Sequence, residues 1–212
     1  MKKFPTKPNF SSIKSLVMNH NRLEKEVLEL WEREGFFAEL QNEAKDRPMF
    51  RFLDGPITAN NPMGVHHAWG RTLKDVFIRY KIMNGHNCGF QNGFDCQGLW
   101  VEVEVEKALG FNGKRDIKDY GLDKFAEACK SRVDKYASII TDQSKRLGQW
   151  MDWDNSYYTH HDDNIEGIWK FLKICHQNGW LYQKESPMPW CPRCSTSLSE
   201  HEMSGSYKDL TH

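Results

Sequence analysis

A few short runs in this chain carry residues that can do more than pack. At 62 to 75, PMGVHHAWGRTLKD sets Gly64 just ahead of two adjacent imidazoles, His66 and His67, where a helical pattern begins. Asp95 closes GFD, and Cys191 and Cys194 form the knuckle WCPRC. Histidines at the mouth of a helix suit an anion. The unpaired N–H groups and the positive end of the helix dipole favour phosphate, and glycine lets it approach the backbone. A carboxylate such as Asp95 suits a cation, for instance an ammonium group. Cysteines spaced C-x-x-C have zinc-ligand spacing, although one pair is half of a tetrahedral site. Each feature also has a plainer reading. Alone, a histidine pair is more often a polar cap, GFD a turn, and His201, the one candidate for a third ligand, an exposed polar residue.

What joins the first two features is the order of the elements that must hold them. MFRFLDGP reads as a short strand ending at a glycine-proline break. From about Val65 a helix follows, with Trp69, Leu73, Val76, Phe77 and Tyr80 on one face and Asn84-Gly85 as its stop. A second apolar run, NCGFQNG, then leads into FDCQG. Strand, helix and strand in this order make one βαβ crossover, so the two strands are expected to be parallel neighbours. Ligands of such sheets sit beyond the carboxyl ends of the strands. The loop carrying Gly55, Pro56, Gly64, His66 and His67 therefore meets the loop carrying Asp95.

The remaining elements are read as scaffold. NRLEKEVLELWEREG is a helix with Asn21 as cap and Gly35 as stop. WVEVEVEK alternates like a strand, and a doubly wound sheet requires a helix there. Residues 121 to 148 form a long amphipathic helix with Leu122, Phe125, Cys129, Val133, Tyr136, Ile140 and Leu147 on one side. A further helix near 164 to 177 is expected to bury Ile168, Trp169, Leu172 and Cys175.

Composition limits the partners. The 212 residues balance 29 lysines and arginines against 29 aspartates and glutamates, so no global field suggests nucleic-acid wrapping or membrane-surface binding. No apolar run is long enough to span a bilayer, and MKKFPTKPNF lacks an apolar core, which points to a cytoplasmic protein without a membrane partner. The six cysteines are scattered apart from the last pair, unlike a disulfide framework.

From about Asn21 onward the chain resembles the N-terminal part of the class I aminoacyl-tRNA synthetases, most of all the isoleucyl type. FLDGPITANNP resembles that family's Asp-Gly-Pro-Pro strand end, and GFDCQGLWVEVEVEK its Gly-Trp-Asp-Cys-His-Gly-Leu-Pro segment. LGQWMDWDNSYYT and PMPWCPRCSTSLSEHEM resemble the stretches leading into the inserted editing domain. Cys96 favours the isoleucyl type over the valyl and leucyl ones. The family's His-Ile-Gly-His signature falls on Gly64-Val65-His66-His67, where only His67 matches in place. Phe94 and Gln97 replace a tryptophan and a histidine.

The resemblance implies the first half of a Rossmann-like (HUP-type) α/β parallel-sheet nucleotide-binding domain at 48–185. An N-terminal helical extension at 1–47 precedes it, and 186–212 begins an editing insertion with its zinc-ribbon knuckle. It implies ATP with Mg²⁺, isoleucine and tRNA(Ile) as the partners of a full-length enzyme. His66 and His67 would be catalytic, with Gly64, His66 and His67 binding ATP, and Gly55, Pro56 and Asp95 binding the amino acid. Cys191 and Cys194 would be an incomplete zinc half-site, without tight binding in this chain. No Lys-Met-Ser-Lys-Ser run is present. The expectation is therefore an N-terminal fragment with little turnover, prone to self-association through an exposed sheet edge. A valyl- or leucyl-type fragment, a small nucleotidyltransferase and a non-catalytic synthetase-related binding module remain open as alternatives.

Overall fold

The computed structural model describes residues 19–52, 55–89 and 91–204. Leu53 and Asp54 of the sequence-read strand, and the basic N-terminal run, lie outside the described residues. The chain divides into two compact units, Met1–Asp46 and Arg47–His212. The first contains α1 (His20–Glu34) and α2 (Phe36–Ala44). The cap of α1 is Asn19, whose side chain accepts from the Arg22 N–H, rather than Asn21. Gly35 ends α1 as read, in the left-handed conformation that a residue without Cβ adopts freely.

The second unit is built on parallel strands. β1 (Met49–Phe50) pairs with β3 (Asn87–Cys88), and β2 (Ile57–Thr58) pairs with β4 (Gln91–Asp95), both parallel. α3 (Val65–Met83) makes the crossover for both pairs. The expected single strand is thus split: the part that joins β4 lies after Gly55 and Pro56, not before them. β5 (Asp152–Tyr158), which the sequence reading missed, adds to the other side of β4 and completes a parallel sheet of order β2-β4-β5. Gly93 makes that pairing possible. A Cβ there would stand 2.2 Å from the Tyr157 ring, so any side chain would push the strands apart.

Between β4 and β5 run α4 (Leu99–Leu109), α5 (Lys114–Tyr120) and α6 (Leu122–Arg146). The WVEVEVEK segment is helical in α4, burying Val101, Val105 and Glu106, so the i, i+4 pair of valines packs while the alternation goes unused. Ile57, Ala59, Phe94 and Cys96 of the sheet meet Val101 of α4 and Val133, Ala137 and Ile140 of α6 in one core. Of the side read on α6, Phe125, Val133 and Ile140 are buried, whereas Leu122 and Leu147 are exposed.

Two helix faces differ from expectation. α3 buries Arg71, Ile78 and Ile82, while Trp69, Leu73, Val76, Phe77 and Tyr80 face outward, Trp69 being 69% exposed. The reason lies in its polar anchors. Arg71 donates through Nη1 to Asn92 (3.1 Å) and Gln149 (3.2 Å), and Arg79 donates to the Gly148 carbonyl (2.6 Å) and stacks on Trp150. These bonds turn the arginine side of the helix toward β4 and the 148–150 segment. α7 (Asp162–Gln177) likewise has no buried residue, and Ile168 and Trp169 are exposed rather than core. The last described elements are an antiparallel hairpin, β6 (Trp190–Cys191) and β7 (Thr196–Ser197), and the short helix α8 (Glu200–Met203).

Candidate functional site

Parallel strands end together at one edge of their sheet, and Asp95 lies there at the end of β4. In the β2–β4 register Thr58 stands opposite Asp95, and the Thr58 hydroxyl donates to Asp95 Oδ2 at 3.1 Å. The Ala59 N–H donates to the Asp95 carbonyl at 2.9 Å, and the N–H of Cys96 donates to Thr159 Oγ1 at 2.9 Å. Asp95 is therefore fixed by its side chain, its own carbonyl and the next amide, at a strand end where a cation can reach it. Gly55 and Pro56 lie three and two residues before Thr58 on the approach to β2. Thr58 and Ala59 bond Asp95 itself and Thr159 bonds its neighbours Phe94 and Cys96, and the sequence reading singled out none of the three.

Residues 59–64 carry the chain from this edge into α3, which opens at Val65 as read. Helix geometry leaves the first N–H groups without intrahelical partners. The Gly64 carbonyl takes the first helical bond, from Ala68 at 3.1 Å. The Gly64 N–H reaches forward to His67 Nδ1 at 3.2 Å, and glycine has no side chain to return a bond, so only half of a capping box forms. Burial first, then the neighbouring His66 and Arg71, push the His67 pKa below the usual 6.5. His66 and His67 pack with ring centroids 3.9 Å apart. His66 also lies over Gly64: a Cβ at position 64 would stand 2.9 Å from its Cε1. The pair thus occupies the space beside residue 64 as well as the helix opening.

Just beyond the end of β4, a cavity of about 310 Å³ is lined by residues of α4 and α6 with Cys96, Gln97 and His160, among them Val101, Phe125 and Cys129. Its thiols are poor nucleophiles. Burial raises the pKa of Cys96 and drives that of Cys129 up to about 11. No covalent chemistry is offered there.

Cys191 and Cys194 come together in the β6–β7 hairpin, where the Cys194 N–H donates to Cys191 Sγ at 3.4 Å. That bond, with the Arg193 charge nearby, lowers the Cys191 pKa. Arg193, between them, ties the knuckle to α4 through the buried Glu106 at 3.3 Å. Two thiolates supply half of the four donors a structural zinc takes. Among the described residues no group of three or more His, Cys, Asp or Glu side chains is placed to hold a metal ion, and His201 does not join the pair. No helix among them is long and apolar enough to cross a membrane.

Against known proteins, the family model described as tRNA synthetases class I (I, L, M and V) matches residues 26–211. The isoleucine–tRNA ligase of Clostridium acetobutylicum is 42% identical over 188 residues, covering 89% of this chain and 18% of the relative. That of Methanopyrus kandleri is 41% identical over 192 residues, with the same 89% and 18% coverage. The chain therefore spans under a fifth of the length of these relatives. Among solved structures, the LeuRS of Agrobacterium radiobacter K84, in a ternary complex with tRNA and LeuAMS, superposes with a TM-score of 0.63 at 15% identity, over 88% of this chain and 21% of that one. That likeness shows the fold.

Proposed function

We propose, from the premise that the chain belongs to the class I tRNA synthetases of the I, L, M and V group, that its second unit binds ATP and isoleucine for adenylation. In that reaction an oxygen of the isoleucine carboxylate bonds to the α-phosphorus of ATP, the bond to the bridging oxygen breaks and pyrophosphate leaves. The aminoacyl group then passes from the adenylate to tRNA(Ile). No protein nucleophile is required, so the protein's part is alignment of the reactants and stabilisation of charge. Asp95 would take the substrate ammonium, with the backbone at Gly55 and Pro56 alongside. The N–H groups opening α3, with Gly64, His66 and His67, would take the phosphates, and Mg²⁺ would arrive with the nucleotide. In the same reading residues 1–47 are a helical extension, 48–185 half of the catalytic domain, and 186–212 the start of the editing insertion. The setting is cytoplasmic.

The observation that carries this is the shared sheet edge. Asp95 is held opposite Thr58, and the chain leaving Thr58 runs through residues 59–64 into the histidine-bearing first turn of α3. The altered signature is compatible with it. His66 covers the place beside residue 64, so an imidazole stays next to His67 although its sequence position has moved. The knuckle supports a zinc role only as half of a ligand set.

The test is equilibrium binding of a non-hydrolysable isoleucyl-adenylate analogue to the 212-residue chain, with the valyl analogue as comparison. Expected are measurable affinity for the isoleucyl form and loss of about 10- to 150-fold in Asp95→Ala, the worth of one hydrogen bond to a charged group. Equal binding by wild type and Asp95→Ala would remove the assignment. Preference for the valyl analogue would move the reading to the valyl type.

A further inference from the structure

Helix α6 looks like core packing, yet two of its polar side chains reach across to the turn ahead of α3. Arg132 donates through Nε to the Asn60 carbonyl and through Nη2 to Asn61 Oδ1, both at 2.9 Å. Gln143, three helical turns further along, accepts the Met63 N–H at Oε1, at 2.7 Å. Arg132 is itself held: it stacks on Tyr136 with 4.7 Å to the ring centroid and lies 3.5 Å from Glu104, with its side chain only 17% exposed. The Asn60 side chain adds a bond to the Trp100 carbonyl at 3.3 Å. The turn from β2 to α3 is thus tied to β4 at position 59 and to α4 and α6 at positions 60, 61 and 63.

We propose that Gln143 and Arg132 are positioning residues for the phosphate-facing turn. From α6 they hold residues 60–63 so that the N–H groups opening α3, with His66 and His67, meet a nucleoside triphosphate without rearranging. The inference rests on the nucleotide reading above. A surface turn between a strand and a helix is ordinarily mobile, and ordering it on binding weakens affinity. Bonds already made from a rigid helix remove that cost. The residue types fit the task. Glutamine presents an acceptor without adding negative charge beside phosphates, and the planar guanidinium of arginine makes two bonds to one turn where an ammonium cannot reproduce the fork.

The experiment titrates ATP into the 212-residue chain as wild type, Gln143→Leu, Gln143→Glu and Arg132→Lys. Affinity is followed through the amide NMR signals of residues 64–68, and hydrogen exchange at the Met63 amide is measured without ligand. Gln143→Leu should weaken ATP about fivefold, the worth of one neutral hydrogen bond, and Arg132→Lys, which breaks a charged fork, by at least as much, with isoleucine binding unchanged in both. Gln143→Leu should also release the Met63 amide to exchange while the amides of α6 stay protected. Gln143→Glu should keep Met63 protected yet bind ATP more weakly, through charge alone. Wild-type ATP affinity in both Gln143→Leu and Arg132→Lys, with Met63 still protected, overturns the inference. If Gln143→Leu loses protection along all of α6, Arg132→Lys and Gln143→Glu decide it. Absence of any ATP response in the wild type overturns the nucleotide reading and this inference with it, whereas a normal wild-type response with unaffected variants overturns this inference only.

Discussion

Replacing Gly64 by alanine separates the stability of the α3 opening from its chemistry. Gly64 sits at φ −78° and ψ 165°, extended backbone that any residue adopts, so alanine brings no backbone strain. Removing glycine from the unfolded chain stabilises by about 0.4–1 kcal/mol, and alanine is poorer than glycine as an N-cap by a similar amount. Stability should therefore change by less than about 1 kcal/mol. The site changes more. The new methyl would lie 2.9 Å from His66 Cε1 and 3.1 Å from Nδ1, inside the roughly 3.5–4 Å contact optimum, so the imidazole must swing away from residue 64. Losing one hydrogen bond to a phosphate oxygen costs about 1.5–3 kcal/mol, which weakens nucleotide binding about 10- to 150-fold. Calorimetric titration with ATP, beside urea denaturation of the same samples, reads both quantities. His66→Ala should show the same loss, and the double variant no further loss, because both changes remove one contact. Additive losses, or an affinity that falls only as stability falls, would refute the reasoning.

Two further outcomes follow from the titrating groups. Burial holds His67 and His160 below 6.5 in the folded state, so between that value and their folded pKa the unfolded chain binds more protons. Stability should be full above about pH 6.5 and fall as the pH drops through that window. A urea midpoint that stays level or rises between pH 7.5 and 5.5 would contradict this. Among the cysteines, Cys191 should react first with iodoacetamide near neutral pH, because its thiolate is favoured by the Cys194 N–H, while burial disfavours those of Cys88, Cys96 and Cys129. Peptide mapping after brief labelling checks the order, and earlier modification of Cys129 would break the argument.

What the sequence made legible was local. The start of α3 at Val65, its stop at Asn84-Gly85, the Gly35 turn and the parallel pairing around α3 all rest on signals a few residues long. His66, His67 and Asp95 were visible because element ends announce themselves. The face of α3 was not, since its apolar stripe of Trp69, Leu73 and Phe77 outweighs Arg71 in any pattern, while the fold turns on the bonds Arg71 makes to Asn92 and Gln149. β5 was missed because a strand containing Asp152, Asp154 and Asn155 lacks an apolar alternation. The residues that fix the site act across separations of 37, 72 and 80 positions, from Thr58 to Asp95, Asn60 to Arg132 and Met63 to Gln143. Only the fold reveals such pairs.

The geometry at His67 also decides what kind of group it would offer a phosphate. A backbone N–H can only donate, so the bond from Gly64 makes Nδ1 the acceptor and leaves the proton of a neutral ring on Nε2. Burial, then the neighbouring His66 and Arg71, favour that neutral form. His67 would then meet a phosphate as an oriented dipole, not as a full charge. Protonating it would break the bond that ties it to the helix cap. The attraction that the opening of α3 itself offers an anion comes from its N–H groups and dipole. Those act at full strength only when the helix start is fixed in place. On the proposed reading, the side chains that hold residues 60–63 would therefore bear on affinity without touching the ligand.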